Sequence, residues 1–321
     1  FGRSSRDRRW AVTGGKRRGA SSWEAWTASG GGLLVVGHGT RNSQGVQQLR
    51  TLSQQIAEIA TPCPVEGCFL ELATPTIEEG VQRLASRGVR RLVTVPILLF
   101  EAGHAKADIP QAVAQAAREA GVFSEAQSPP LGCSAEVLAL SHQRLIESIE
   151  REEGRCDGEK LASFLSGPTS CLVMLGRGAS DRKAVGAMRR LAALRQRRCG
   201  VPHLKVGFFA AAKPSVTELL GSLPASKYQR LFLQPHLLFP GELMEQLREK
   251  RQELQGNCPK QRYYLAEPLG VQLENNNPET QSGDLVNGLQ GLSVTSLAET
   301  FCGLAARTLR RQLNPWKPWR W

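Results

Sequence analysis

A histidine between two glycines, Gly37-His38-Gly39, follows the apolar run Leu33-Leu34-Val35-Val36. That order puts an imidazole at the carboxyl end of a predicted strand, where α/β sheets keep their chemistry. The flanking glycines clear space around the ring, and an imidazole so placed can bind a transition metal or move a proton. Two further groups are predicted at the same sheet edge. Glu71 closes a strand over 65–72, and His104 stands in the loop Glu101-Ala102-Gly103-His104 after a strand over 89–100. Asp108 follows His104 by one helical turn on the same face. A lone histidine beside a turn is more often structural. What lifts this one is that the chain writes the stretch twice.

The second copy is Leu172-Val173-Met174-Leu175-Gly176-Arg177-Gly178-Ala179-Ser180-Asp181, with Gly176 lying 139 positions after Gly37 (176 − 37). Phe69 maps to Phe208, Pro75 to Pro214, Pro96 to Pro235 and Phe100 to Phe239 at the same offset. A register held from residue 37 to residue 100 marks two copies of one α/β domain. Only the first copy has histidine at the loop; the second has Arg177.

The elements that must position these residues alternate in βα order. Apolar spacing predicts helices over 43–60, 75–84, 104–119 and 135–150 between the strands of the first copy, the last reached by a loop over 121–132, and a final helix over 292–313. The expected division is a disordered basic extension over 1–30, a first domain over 31–151, a linker over 152–168, a second domain over 169–313 and a tail over 314–321. A loose insertion is expected over 271–288, rich in Asn, Gln and Gly.

The net charge of +12 is unevenly placed. Residues 1–30 carry seven basic and two acidic side chains and 307–321 five basic and no acidic ones, so the body holds only about +2. That disfavours a nucleic-acid groove. All six tryptophans (Trp10, Trp23, Trp26, Trp316, Trp319, Trp321) fall in the same two ends. The Arg-, Gly- and Ser-rich start has a faint likeness to an organelle transit peptide, which would mean the plastid stroma; without one, the cytoplasm is expected. Eight scattered cysteines without C-x-x-C suggest reduced thiols, with Cys68 and Cys171 packing in strands. No run is long enough to span a bilayer.

Together, Val36-Gly37-His38-Gly39-Thr40-Arg41, Phe69-Leu70-Glu71, Pro75-Thr76-Ile77, Val95-Pro96-Ile97-Leu98-Leu99, Gly103-His104 and Asp108-Ile109-Pro110 resemble the sirohydrochlorin cobaltochelatase and ferrochelatase family. The second half, from Leu175-Gly176-Arg177-Gly178 to Leu238-Phe239-Pro240-Gly241, resembles the degenerate half of its long, two-domain form. The resemblance implies an α/β fold of two tandem doubly wound chelatase-like domains with parallel sheets and an active-site cleft between them. It implies insertion of Co²⁺ or Fe²⁺ into sirohydrochlorin without ATP or any cofactor beyond that metal, by a monomer that needs neither nucleic acid nor membrane. By position, His38 and His104 match the family's metal-binding pair.

Two neutral imidazoles with open positions suit this task, because a complete four-ligand cage would keep the ion. Two protons must leave the macrocycle, and Glu71 is the candidate base or third ligand, with a solvated strand-end carboxylate as the plain alternative. Asp108 is the candidate partner orienting His104, against an ordinary surface helix residue. Sirohydrochlorin carries eight carboxylates, and Arg177, Arg41 and Lys213 are the candidate anchors. His142 and His203 read as surface residues, and His236, replacing an apolar strand residue of the first copy, as a hydrogen-bonded core histidine. The main rival function is a tetrapyrrole- or metal-binding protein without turnover. A phosphoryl-transfer enzyme is disfavoured, since no glycine-rich phosphate cradle is present.

Overall fold

The computed structural model describes residues 20–100, 105–270 and 297–313. The first copy runs α1 (Ala20–Ala28), β1 (Gly31–Gly37), α2 (Ser43–Ile59), β2 (Val65–Phe69), α3 (Ile77–Ser86), β3 (Arg91–Pro96), α4 (Ala105–Glu119), β4 (Phe123–Gln127) and α5 (Ala135–Glu153). The second runs α6 (Gly158–Ser166), β5 (Ser170–Gly176), α7 (Arg182–Cys199), β6 (His203–Phe208), α8 (Val216–Gly221), β7 (Arg230–His236), α9 (Glu242–Asn257), β8 (Arg262–Leu265) and α10 (Leu297–Leu313).

Each copy is a four-stranded parallel sheet, ordered β2-β1-β3-β4 and β6-β5-β7-β8. The central strands β1 and β5 are buried at every residue, which is why they read as unbroken apolar runs. In each sheet the order reverses beside the central strand, so the loops after β1 and β3, and after β5 and β7, open a crevice at the strands' carboxyl ends.

The 139-residue offset extends to fine backbone detail. The side chains of Asn42 and Asp181 cap α2 and α7, and Thr76 with Glu79 and Ser215 with Glu218 form capping boxes on α3 and α8. Leu72 and Ala211 both take positive φ (61° and 54°), and cis bonds precede Pro75 and Pro214. Arg50 Nη2 donates to the Thr74 carbonyl at 3.1 Å and Arg189 Nη2 to the Lys213 carbonyl at 3.3 Å.

The copies begin earlier than the sequence suggests. Residues 20–28 of the expected extension form α1 against β1, with Trp23 and Trp26 buried. The expected linker contains its counterpart, α6, packed on β5 and α7. Arg91 lies over the Trp26 ring at 5.0 Å and Arg230 over Phe164 at 4.7 Å, so arginines at the same offset each lie over an aromatic ring of α1 or α6. Trp10, Trp316, Trp319, Trp321 and the expected insertion over 271–288 lie outside the described residues. β4, inside the expected loop over 121–132, is an edge strand without a fully buried residue, so it shows no apolar run.

The closing helices are exchanged between the sheets. α5, at the end of the first copy, packs on α7, β7 and β8, while α10 packs on α2, β3 and β4. Arg144 Nη2 of α5 donates to the Leu269 carbonyl at 3.4 Å, Cys302 of α10 reaches the Ile56 carbonyl at 3.7 Å, and Arg307 pairs with Glu136 at 3.5 Å where the helices meet. The expected boundary near residue 151 therefore divides the sequence but not the packing. One continuous apolar core joins the inner faces of both sheets, from Leu33 and Val35 to Leu172 and Met174.

Candidate active site

His38 is the first residue beyond β1. Past the strand, the Leu70 N–H donates to the Gly37 carbonyl at 2.9 Å and the Glu71 N–H to the His38 carbonyl at 3.1 Å. This continuation of the ladder draws Glu71 alongside His38. Gly39 takes φ +99°, and a Cβ there would run into the Glu71 carbonyl, so the loop requires glycine. The outcome is a close pair: His38 Nε2 lies 3.3 Å from Glu71 Oε1, with side chains 44 % and 53 % exposed. Solvent therefore reaches both, and the pair can take an ion without first being unpacked.

The second copy builds the same loop with different groups. The Phe209 and Ala210 N–H groups donate to the Gly176 and Arg177 carbonyls at 3.0 and 2.9 Å, and Gly178, at φ +88°, closes on the Ala210 carbonyl as Gly39 does on that of Glu71. Arg177 thus stands where His38 stands, and Ala210 where Glu71 stands. Both members of the imidazole–carboxylate pair are replaced.

The loops face each other across one cavity of about 820 Å³. His38, Thr40, Leu99 and Phe100 line it from the first copy and Arg177, His236, Phe239 and Glu242 from the second; most of the remaining lining is apolar. That is the volume and lining of a site for a large ligand with apolar surface and a few charged groups.

Of the residues singled out in the sequence, His38 and Arg177 line this cavity and Glu71 stands beside it, against His38. His104 lies outside the described residues. Asp108 is half-buried in the first turn of α4. Arg41 is exposed and is not among the lining residues. Lys213 is held at 2.5 Å by Glu218, whose carboxyl group this lysine and the Ser215 N–H pull down to about 2, and it too is not among the lining residues. Among the described residues no three His, Cys, Asp or Glu side chains gather as a metal site.

Two histidines depart from expectation. His142 is buried, not at the surface, with Nδ1 3.3 Å from Arg195 Nη1; burial and then this cation push its pKa down to about 3. His236 is a core residue as expected, but it lacks the expected hydrogen bonds: among the described residues neither ring nitrogen has a partner. Burial and Arg195 hold it at about 3 as well. Its only sequence signal was the apolar residue, Ile97, at the matching position of the first copy. His203 is half-buried, with Nε2 3.1 Å from the Pro168 carbonyl. Cys68 and Cys171 pack in their strands; burial raises both thiols, Cys171 to about 12.

Comparison with known proteins gives a consistent set of likenesses. The CbiX family model matches residues 32–148 and again 171–275. The chain is 28 % identical over 239 residues to a sirohydrochlorin ferrochelatase of Priestia megaterium, covering 74 % of this chain and 84 % of that protein. It is 27 % identical over 217 residues to a sirohydrochlorin cobaltochelatase of the same organism, covering 68 % and 67 %. Among solved structures it superposes on SirB from Bacillus subtilis with Fe³⁺ at TM-score 0.67 and 25 % identity, over 88 % of this chain and 97 % of that one.

Proposed function

Since the chain belongs to the CbiX family, we propose that it inserts Fe²⁺ or Co²⁺ into sirohydrochlorin, without ATP, in the making of sirohaem or cobalamin. The observation that carries this reading is the His38–Glu71 pair at the edge of an apolar cavity shared by both copies. An imidazole and a carboxylate bind a divalent transition ion while leaving several positions open. The ion is thereby stripped of part of its water yet stays available to the four macrocycle nitrogens. Insertion exchanges one M²⁺ for two N–H protons; Glu71, freed as the metal moves into the ring, takes one, and the other leaves to the solvent that reaches the pair. His104 completes the metal site in this reading, and Asp108 orients it. The apolar walls hold the macrocycle's faces, and Arg177 holds a carboxylate at its edge.

Because one chain supplies both faces of the cavity, we place the activity in the monomer. Among the described residues no helix is long and apolar enough to cross a membrane. The eight free cysteines accord with a reducing compartment, and we place the reaction in the cytoplasm. The test is sirohydrochlorin absorbance under anaerobic conditions with Fe²⁺ or Co²⁺, with and without protein in substoichiometric amount. Many turnovers per chain are expected; a change that stops at one equivalent would make the protein a tetrapyrrole carrier instead.

A further inference from the structure

The copies also differ in the layer beneath the cavity floor. Where the first copy has Ile56, Val95 and Ile97, all buried, the second has Arg195, Gln234 and His236 at the same 139-residue offset (195 − 56). Arg195 is fully buried. Its Nε donates to Ser141 Oγ at 2.9 Å and its Nη2 to Gln234 Oε1 at 3.0 Å, while Nη1 meets the His142 ring. Gln234 in turn donates to the Ser141 carbonyl. All these partners are neutral, and among the described residues no carboxylate pairs with this guanidinium. A buried cation without a counter-charge is costly, and the sister sheet shows that the same fold fills the place with hydrocarbon. Packing therefore does not explain the set.

His236 gives the set a direction. It shares a face of β7 with Gln234, two residues before it, is 2 % exposed, and lines the cavity. Phe100 of the first copy rests against its ring, with centroids 5.3 Å apart. Among the described residues its ring nitrogens have no partner, and the guanidinium behind it repels a dication and attracts an anion. A neutral imidazole retains one N–H to donate.

We propose that His236, backed by the buried Arg195, is a subsite on the cavity floor that accepts one carboxylate arm of an acidic macrocycle. The inference rests on the reading that the cavity takes a polycarboxylate tetrapyrrole. On it, His236 donates its ring N–H to the carboxylate, Arg195 supplies the charge as a positioning residue, and Phe100 shields the contact from water.

The experiment titrates the full chain, without metal, with an octacarboxylate porphyrin and with its octamethyl ester. Loss of one charge-assisted hydrogen bond in His236→Leu should weaken binding of the acid about tenfold and leave the ester unchanged. His236→Gln, which keeps an N–H donor, should restore most of the difference. The unfolding midpoint of His236→Leu should be equal to or above the parent's, because an unpartnered polar group is removed, and Co²⁺ affinity should not move. The proposal is overturned if acid and ester weaken together, if neither weakens, if the parent does not prefer the acid, or if Co²⁺ binding falls. A parent chain that binds the acid through His236 but inserts no metal would sink the proposed function and leave this subsite in place.

Discussion

The two loops after β1 and β5 have nearly the same backbone and opposite chemistry. Both carry a glycine pressed onto a neighbouring carbonyl, a side-chain helix cap and two ladder bonds beyond the strand. One presents His38 and Glu71, the other Arg177 and Ala210. The shared features are what the turn needs to exist, since a Cβ at Gly39 or Gly178 collides with backbone in either copy. The unshared ones are free of that demand, and they are where the chemistry has to be sought. Beneath the floor the contrast is repeated: hydrocarbon under the first sheet, a buried cation and two depressed histidines under the second.

The strongest way to break this comparison is at the unshared residues. His38→Ala should lower metal insertion by more than about a hundredfold, beyond what loss of a residue that merely orients a ligand costs, while metal-free sirohydrochlorin still binds. Insertion at the parent rate would remove the first copy's special status. Next in size is a shared feature of unequal burial. Trp26→Ala should cost about 3–5 kcal/mol in urea unfolding, and Phe164→Ala, at the half-buried ring under Arg230, clearly less. Equal losses would mean that α1 and α6 hold their sheets equally.

Arg177→Ala addresses the opposite loop. Its apparent KM for sirohydrochlorin should rise about ten- to hundredfold, the worth of one charge-assisted contact, with metal affinity unchanged; reduced metal binding would move Arg177 to the metal site. The smallest effect concerns pH. His142 and His236 are held near 3 in the folded chain, below the ordinary 6.5. The unfolded chain therefore binds more protons between those values. The stability that depends on their neutrality is complete above pH 6.5 and is lost as pH falls toward 3, by about 1.4 kcal/mol per pH unit for each histidine. Urea unfolding from about pH 7 to about pH 5 should show this slope, and His236→Leu should halve the histidine part of it. An unchanged slope would show that His236 is not the titrating group.

Much of this was legible in the chain. Gly37 and Gly176 mark the register, and the rule that strand ends share an edge places Glu71 at the same sheet edge as His38. The helices α1 and α6 were not legible as a pair. Trp26 and Phe164 share a role but not an identity, and the arginines before residue 20 gave the whole segment the composition of a solvated tail. β4 escaped because an edge strand that is only half-buried carries no apolar run. Arg195 shares the apolar stripe of its helix with Met188, Leu191 and Ala192 and matches Ile56 in the first copy, a signal masked by Arg189, Arg190, Arg197 and Arg198 around it, and its neutral partners on α5 are a tertiary fact. His142 was misplaced for the same reason. An amphipathic helix announces that it needs a sheet without saying which one.

That last point reaches beyond the folded state. The helix that completes the first sheet is the last described element of the chain, and Cys302 meets Ile56 across 246 residues. During synthesis the first half emerges before the helix that packs on α2, β3 and β4 in the folded chain, so part of its packing waits for α10 to leave the ribosome. The first half therefore gains its last packing layer only after the second has been made. α5, which covers the second sheet, is made before that sheet, whereas α10, which completes the first, is made after both, so the long-range closure falls on the first half alone.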